Sequence, residues 1–537
     1  MKNTLEEKTK LDTPLFLSSI GFTAFIVFYT AFNPRKANKV IKILYDWIIY
    51  KAGFLVLVAG LATLVFLVWL AFSRYGNIKF GGEETQPNFK LSTYIFMIIA
   101  TGVSSSLLFW AMGEPMLFLS NPPMYADPNS IEASFWAVTY PLFHWGPIAW
   151  AIYCVPAIPF AYYIYNRKKR TLRVSDICSD AIGRKNARGL LGYFINILAI
   201  FGTLATIATG MGYCTNLIGA GLDYIFGIPH TLVTQLFIIL AIVGVYTFTA
   251  IAGLRKGIAR LSDISVMAAI AIGIFTLVAS DTSFILSYFV DSLGVLFQNF
   301  FRMSTWLDPI GGSSFPHQWT VYYWAWFFAF FILMGVFIAK ISKGRTIKEV
   351  ILTCVLGGSG GCAFFVGIFG SHTVKNQILG KLPIEAWASE LGTAPAIIRI
   401  VDSLPLGGII LIIFLLIQFF MMSTSITSVT YGLSMMSTKN LPLNQEPSNR
   451  IKIAWALGVG GISMVSFFIG GTLESIKSLS VIAGFPMIFI MVIILISFRK
   501  WLKDDMEDAT RDSRGNIIIN YKEDYFKEGG GKWEKRK

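Results

Sequence analysis

The sequence predicts an all-α polytopic membrane protein with twelve transmembrane helices. Of its 537 residues, 54% are hydrophobic and only 14% are charged, and the mean hydropathy is +0.61. Soluble domains carry about 25% charged residues, so a soluble fold of this composition would leave too much apolar surface uncovered. Crossing ~30 Å of hydrocarbon takes about 20 apolar residues. Twelve segments are long enough, at approximately 15–33, 52–72, 91–118, 131–164, 189–222, 229–253, 258–280, 317–340, 346–371, 406–436, 448–470 and 476–500.

Basic residues in the loops predict the orientation in the membrane. Lys and Arg concentrate in even-numbered loops, at 167–173, 184–188, 255–260 and 340–348. Because cytoplasmic loops carry the excess of Lys and Arg, both termini are predicted to be cytoplasmic in a protein of the cell membrane. The basic loop 34–44 breaks this rule. The net charge of +14 follows from the loop pattern, so nucleic acid is not a predicted partner.

A single membrane domain is predicted to fill most of the chain. It spans residues 15–500, between a cytoplasmic N-terminal segment at 1–14 and a cytoplasmic tail at 501–537. The start of the chain lacks a signal-peptide cleavage pattern, so the first span is expected to be retained. The five cysteines show no metal-binding spacing, and catalytic motifs such as HExxH and the P-loop are absent from the sequence. Neither an enzyme nor a bound cofactor is predicted.

The third predicted span has a polar interruption. Gly102 precedes three serines, Ser104, Ser105 and Ser106, and Glu114 closes the run. Small residues and hydroxyls fit a close helix-packing face or a locally opened helix that exposes backbone oxygens to a cavity, and both interpretations stay open. Ionisable residues inside spans usually mark ion pathways. Glu114, toward the end of its span, is expected to be structural.

The fourth predicted span carries a deep aromatic cluster. At 100° per residue, Trp150 and Tyr153 share one face, while Trp145 lies about 140° from Trp150. Pro147 between them could redirect the helix and bring the rings closer together. Aromatic belts at the membrane interface are the commoner explanation for such residues, but this cluster lies deep in its span. His144 is expected to be a hydrogen-bonded structural residue.

Residues 281–316 are predicted to form an amphipathic helix at the outer interface. Their apolar residues recur at mixed three and four spacing with polar residues between them, which is typical of an interfacial helix. The pattern looks too interrupted to span. A second outer segment, between the ninth and tenth spans, has a similar character.

The eighth predicted span is the most aromatic part of the chain. Its segment Val321–Glu349 begins with a run of Tyr, Trp and Phe and ends in a basic cluster, where the helix leaves the bilayer. Trp326 and Phe330 share one helical face with Met334, and Phe327 lies one residue round. This aromatic wall fits either packing or a binding box for a cation.

The tenth predicted span contains a hydroxyl-rich turn that includes Thr424 and Ser425. Hydroxyls deep in an apolar helix usually bond back to their own backbone. Facing unwound carbonyls from another helix, they would instead offer the oxygen ligands that Na⁺ needs.

These segments together resemble the betaine/carnitine/choline transporter family. The resemblance covers about residues 15–500, and its most specific parts are WTVYYWAWFFAFF with the GRTIKE exit, HWGPIAWAIY, and the GEP after the third-span serines. It implies a leucine-transporter-like fold of two inverted five-helix repeats preceded by two extra helices. It also implies a substrate site at the midplane, alternating access, and assembly as a homotrimer in the lipid bilayer, with 283–304 helping the assembly.

The resemblance assigns a substrate box to the aromatic residues of spans four and eight. These are Trp145, Trp150, Tyr153, Trp326, Phe327 and Phe330. Ring faces suit a quaternary ammonium, which is charged but cannot donate a hydrogen bond. Many members have Trp or Tyr where this chain has Phe327 and Phe330, so Trp326 and the span-four rings should contribute more of the binding.

The third-span serines bear on the choice of substrate. Choline carriers of the family often place Asp where this chain has Ser106. Without that carboxylate, the resemblance favours a zwitterion such as glycine betaine or carnitine, whose own carboxylate would accept hydrogen bonds from Ser104, Ser105 and Ser106 or from nearby amides. Choline transport is the alternative.

Two features point to opposite coupling mechanisms. Thr424 and Ser425 match the hydroxyl pair that sodium-coupled members use, and Ala100 and Val103 would add backbone oxygens. Met334 falls where sodium-independent carnitine exchangers carry a methionine that stands in for a cation. Sodium symport is favoured over exchange. A channel or a non-transporting membrane sensor on the same helices is the alternative of a different class.

Overall fold

Helices coincide with all twelve segments predicted to cross the membrane. The structure, a computed structural model, describes residues 10–169, 173–251, 255–439, 447–469, 473–507, 509–511 and 517–519. The predictions for the terminal segments therefore lie largely outside the described residues. The first helices are α1 (Thr13–Phe32), α2 (Pro34–Asp46), α3 (Gly53–Phe72), α4 (Leu91–Gly102), α5 (Ser105–Ser120), α6 (Ile131–His144) and α7 (Pro147–Ala161).

Long helices dominate the middle and the end of the chain. The middle contains α8 (Val174–Ile177), α9 (Ser179–Ile182), α10 (Arg184–Arg188), α11 (Leu190–Phe226), α12 (Leu232–Ile251), α13 (Arg255–Ala279) and α14 (Thr282–Thr305). The end contains α15 (Tyr322–Ile341), α16 (Ile347–Leu352), α17 (Ser359–Phe365), α18 (Ser371–Ile378), α19 (Ile384–Glu390), α20 (Thr393–Asp402), α21 (Gly407–Met436), α22 (Asn449–Phe468) and α23 (Leu473–Glu507). Short π-helical segments join several of them, at Trp47–Lys51, Tyr162–Asn166, His317–Val321, Thr353–Gly358 and Val366–Gly370.

Two short antiparallel strand pairs complete the described fold. β1 (Lys10–Leu11) pairs with β2 (Thr438–Lys439), and β3 (Ala509–Arg511) pairs with β4 (Ile517–Ile519). The first pair ties the start of the chain to the end of α21. The residues before the first span and those after the tenth span therefore lie on the same side, as the alternating topology requires.

The apolar helices agree with the predicted membrane fold, with one difference. In the described residues, ten helices are long and apolar enough to cross a membrane, and the bent pair of α4 and α5 makes eleven. Leu232–Phe248 is shorter, and α22 coincides with the eleventh predicted span. The prediction that 281–316 is too interrupted to span was wrong on this criterion, because α14 is one continuous 24-residue helix that passes the same test. Its polar residues reduce its hydropathy without breaking its backbone.

The third span is broken, which decides between the two interpretations left open. α4 ends at Gly102 and α5 starts at Ser105, with a bend of 62° between them. Val103 and Ser104 have extended backbones, and the Ser104 hydroxyl accepts a 3.2 Å hydrogen bond from the Leu107 amide as the cap of α5. A capping serine stabilises a new helix start. The helix is therefore open where the polar run predicted it.

α15 lies at the centre of the bundle because glycines on its neighbours allow close approach. A Cβ on Gly484 of α23 would lie 1.8 Å from the Ala325 carbonyl oxygen, and one on Gly202 of α11 would lie 2.6 Å from that of Ala329. Small residues let membrane helices pack backbone to backbone. The aromatic face of α15 is thus enclosed by α7, α11 and α23.

Candidate substrate site

Five of the six predicted box rings pack together where α15 meets α7 and the end of α6, and the sixth, Trp150, joins them through Tyr153. Trp145 lies edge-on to Trp326 (ring centroids 6.0 Å apart) and to Phe327 (5.8 Å). Tyr153 lies edge-on to Phe327 (5.4 Å) and to Phe330 (6.4 Å). Edge-to-face contacts leave some ring faces turned toward a shared space. Tyr153 and Phe330 keep part of their surface accessible, whereas the other three rings are buried.

Trp150 packs differently from the other predicted rings. A Cβ on Gly358, at the end of the π-helical segment Thr353–Gly358, would lie 2.1 Å from the indole ring, and one on Gly102 would lie 2.6 Å from it. The ring is therefore wedged between two backbones, next to the break in the third span. Trp150 touches the cluster through Tyr153, whose ring centroid is 6.1 Å away.

Glu114 holds one wall of the cluster in place. Its carboxylate accepts hydrogen bonds from the Trp145 indole nitrogen at 2.9 Å and from the Tyr323 hydroxyl, and it bonds to His144 Nδ1 at 2.8 Å. The sequence predicted a structural residue here but did not predict these three partners. The residue is fully buried, because α5 packs against α6 and the Tyr323 side chain reaches its carboxylate from α15. His144 is hydrogen-bonded as predicted, with Thr320 as its second partner at 3.2 Å.

A second buried ionisable residue, Lys477, was missed by the sequence reasoning. Its ammonium lies 3.7 Å from the ring centroid of Trp319, 4.5 Å from that of Tyr322 and 5.3 Å from that of Trp110. Tyr322 stacks on Trp326 of the cluster, with centroids 5.7 Å apart. A lone lysine inside a predicted span is a functional signal, and this signal could have found the residue.

The three serines point to different neighbours. Ser104 caps α5 and stays partly accessible. Ser105 donates to the side-chain oxygen of Gln418 in α21. Ser106 is buried, and its hydroxyl lies 3.3 Å from where a Cβ on Gly210 of α11 would be. Ser104 is thus the serine with accessible surface at the break.

The predicted ion ligands lie on two elements, with Ala100 and Val103 at the break after α4 and Thr424 and Ser425 on α21. The hydroxyls of Thr424 and Ser425 each donate to the Met421 carbonyl at 2.9 Å, so they bond back to their own helix but keep oxygen lone pairs that can accept a cation. Ala100 is in the last turn of α4, where carbonyls lack the amide donors of a continuous helix. Val103 lies in the break itself.

Met334 lies one turn beyond Phe330 on α15 and is buried. The sequence analysis placed it as a stand-in for a cation, and this remains a prediction. Among the described residues, no group of three or more His, Cys, Asp or Glu side chains could hold a metal ion.

Comparison with known proteins identifies the family. The sequence model described as BCCT, betaine/carnitine/choline family transporter, matches residues 14–507. The chain belongs to the betaine/carnitine/choline transporter family. A transporter rather than an enzyme is therefore indicated, in a multi-pass membrane protein.

One solved structure also resembles the chain. It is described as the substrate-bound outward-open state of a Na⁺-coupled sialic acid symporter with a novel Na⁺ site. The two share 18% sequence identity at a TM-score of 0.43, over 82% of this chain and 85% of that one. The leucine-transporter-like fold of two inverted repeats is the one expected of a betaine/carnitine/choline family member, and the broken third span accords with it.

Proposed function

We propose that the protein is a secondary active transporter of quaternary-ammonium zwitterions of the glycine betaine or carnitine type, working by alternating access. The observation that supports this is the ring cluster of Trp145, Tyr153, Trp326, Phe327 and Phe330, none of which carries a charge. A permanent cation that cannot donate hydrogen bonds is recognised best by ring faces, at about 2 kcal/mol or more per desolvated contact.

Ser104 and the first turn of α5 favour a substrate that carries its own carboxylate. Because the Ser104 hydroxyl accepts the Leu107 amide, its hydrogen can still be donated. The first amides of a helix are unpaired and attract negative charge. A carboxylate at the break would therefore be stabilised there, whereas choline offers these donors only a neutral hydroxyl oxygen.

The test is uptake into proteoliposomes with a panel of glycine betaine, carnitine, choline and a sulfonium analogue. Wild-type protein should transport a zwitterion best. Trp326→Ala should abolish uptake while assembly is retained. Trp69→Ala should leave uptake unchanged, because Trp69 is 54% exposed on α3 and its ring contacts Phe66 and Tyr75 rather than the cluster. Full activity of Trp326→Ala would place the substrate elsewhere.

We propose sodium symport as the coupling mode, with Thr424, Ser425 and the carbonyls of Ala100 and Val103 as ligands. The support is the opened backbone of the third span together with hydroxyls that keep free lone pairs. The measurement is uptake with Na⁺ replaced by K⁺, in wild type and in Thr424→Ala. Thr427→Ala is the matched control, since that hydroxyl also bonds back to its own helix, at 3.1 Å.

Sodium-independent exchange is the competing coupling mode, and the buried Met334 is the observation that favours it. If uptake ignores Na⁺ in both wild type and Thr424→Ala, exchange replaces symport, and Met334 becomes the residue to substitute. Counterflow of labelled substrate distinguishes any carrier from a channel or a membrane sensor, because exchange without a net gradient requires alternating access.

Assembly as a homotrimer through α14 is also proposed. The helix presents an exposed apolar stripe to its surroundings. The side chains of this stripe, each 49–77% exposed, are Leu286, Val290, Phe297 and Phe301. Native mass spectrometry of wild type against a variant with Phe297 and Phe301 changed to Ser would test the assembly. A trimer that survives these changes would exclude α14 as its contact.

A further inference from the structure

Lys477 is a buried cation whose nearest partners are aromatic rings. It lies in the second turn of α23 and is 6% exposed. Its ammonium lies over the rings of Trp319 and Tyr322 and near Trp110, and it is 3.5 Å from the Gln318 carbonyl oxygen. Three other elements thus meet at one ammonium: α5, the segment His317–Val321, and α15.

The acids closest to this lysine in the fold are engaged elsewhere. Glu114 bonds to Trp145, Tyr323 and His144. Glu474, one turn earlier on α23, bonds to Lys42 at 2.9 Å. An ammonium away from water is costly unless it is compensated, and ring faces supply that compensation here.

The rings around Lys477 separate the substrate cluster from the surface at the beginning of α15, which is the predicted outer side. Tyr322 stacks directly on Trp326, and its hydroxyl bonds to that of Tyr213 at 2.7 Å. At the other end, Trp319 is half-buried and Gln318 is exposed. A substrate that reached the cluster along this line would have to separate the rings that hold the lysine.

We propose that Lys477 is the latch of the outer gate: its ammonium, held on Trp319 and Tyr322, keeps this ring layer closed over the substrate site. The inference rests on the proposed alternating access but not on the identity of the substrate. When the layer opens, water replaces the rings around the ammonium, so the energy difference between the two states stays small. A gate that must open in every transport cycle needs such a balance. Lys477 acts here as a positioning residue and not as a substrate ligand.

The test measures access to the closed layer from each side of the membrane. Thr320→Cys, at a position that is 1% exposed beside Trp319, is the reporter in a background without the five native cysteines. A membrane-impermeant thiol reagent is added outside or inside sealed vesicles. Lys477→Met keeps a similar length and removes the charge. It should raise outside labelling about tenfold, which corresponds to ~1.4 kcal/mol in the closed-to-open equilibrium, and Lys477→Arg should restore slow labelling.

Two further variants keep the inference falsifiable. Trp319→Leu removes a ring but leaves the lysine, and it should raise outside labelling in the same direction. Lys340→Met is the matched control, because Lys340 also lies over a ring, that of Tyr431 at 4.8 Å, but near the opposite end of α15. It should leave outside labelling unchanged.

The proposed role of Lys477 would be overturned if outside labelling stayed unchanged in folded Lys477→Met, or if outside labelling rose equally in Lys340→Met. Labelling requires no substrate, so the result does not depend on the uptake panel. If the panel shows no transport while Lys477→Met still exposes Thr320→Cys from outside, the latch stands and the proposed substrate class fails.

Discussion

Gly358→Ala should displace the Trp150 ring and thereby disrupt the substrate cluster. The added Cβ would lie 2.1 Å from one ring atom, with two more at 2.3 and 2.4 Å. Ordinary contacts are about 3.5–4.0 Å, so the ring must move by more than an ångström. The opposite side offers little room, because a Cβ on Gly102 would already be 2.6 Å from the same ring.

The expected loss of stability in Gly358→Ala follows from this overlap. Overpacking a well-packed site costs about 1–3 kcal/mol, and the rigid indole between two backbones places this site at the upper end. Replacing Gly by Ala in a helix otherwise gains about 0.5–1 kcal/mol. We therefore expect Gly358→Ala to lose about 2 kcal/mol of stability.

The same span provides a matched control. At Gly360, two residues further on, an added Cβ would meet nothing within 4 Å, and the residue is exposed. Gly360→Ala should keep or slightly raise the melting temperature. Tryptophan-fluorescence melting of detergent-purified protein measures stability, and equilibrium binding of glycine betaine measures the site.

The binding result separates a local effect from general unfolding. Folded Gly358→Ala should bind at least tenfold more weakly than Gly360→Ala, because Trp150 contacts Tyr153 of the cluster. Equal melting temperatures and equal affinities for the two variants would refute the close packing of Trp150 between Gly358 and Gly102 and would show that its ring has room to move.

Two other contacts lead to predictions. Glu114→Gln keeps the shape but removes a charge-assisted acceptor from Trp145, each such bond contributing about 1.5–3 kcal/mol. Substrate affinity should fall about tenfold, and unchanged affinity would mean that Trp145 needs no anchor. Asp505→Ala removes the carboxylate that accepts two bonds from the Arg167 guanidinium, at 3.0 and 3.2 Å. Breaking a buried ion pair costs about 3 kcal/mol of stability. Asp504→Ala should cost little stability, since the Asp504 side chain is 65% exposed and its carboxylate lies 3.9 Å from the Arg167 guanidinium. Equal melting temperatures for the two variants would argue against the buried pair.

The opened third span shows how far local sequence reaches. Gly102 and the serines made an opening one of two interpretations, since small residues and hydroxyls suit both a break and a packing face. The structure has the break, in which Ser104 caps α5 and Ser105 bonds to Gln418, 313 residues away in the chain. Nothing in the sequence around the serines predicts the contact with Gln418.

Trp150 and α14 show how far helical spacing reaches and where other contacts decide. Helical spacing placed Trp150 with Tyr153, and the two rings do touch, but glycines from two other spans decide where the indole lies. For α14, the mixed spacing predicted an amphipathic helix, and the structure has a continuous helix over Thr282–Thr305. Its length and apolar content pass the test for a span, although the polar residues between the apolar ones had argued against one.

The sequence by itself determined the class of fold and the place of the apolar helices, because a bilayer requires about 20 apolar residues per span wherever the span lies in the bundle. Its motifs also determined the family, and the resemblance to that family selected the candidate rings. Only the tertiary structure decided the roles of Glu114 and Lys477. Glu114 follows an apolar run and Lys477 lies among serines near Glu474, and in both cases the role follows from the aromatic rings that distant spans place around the buried side chain.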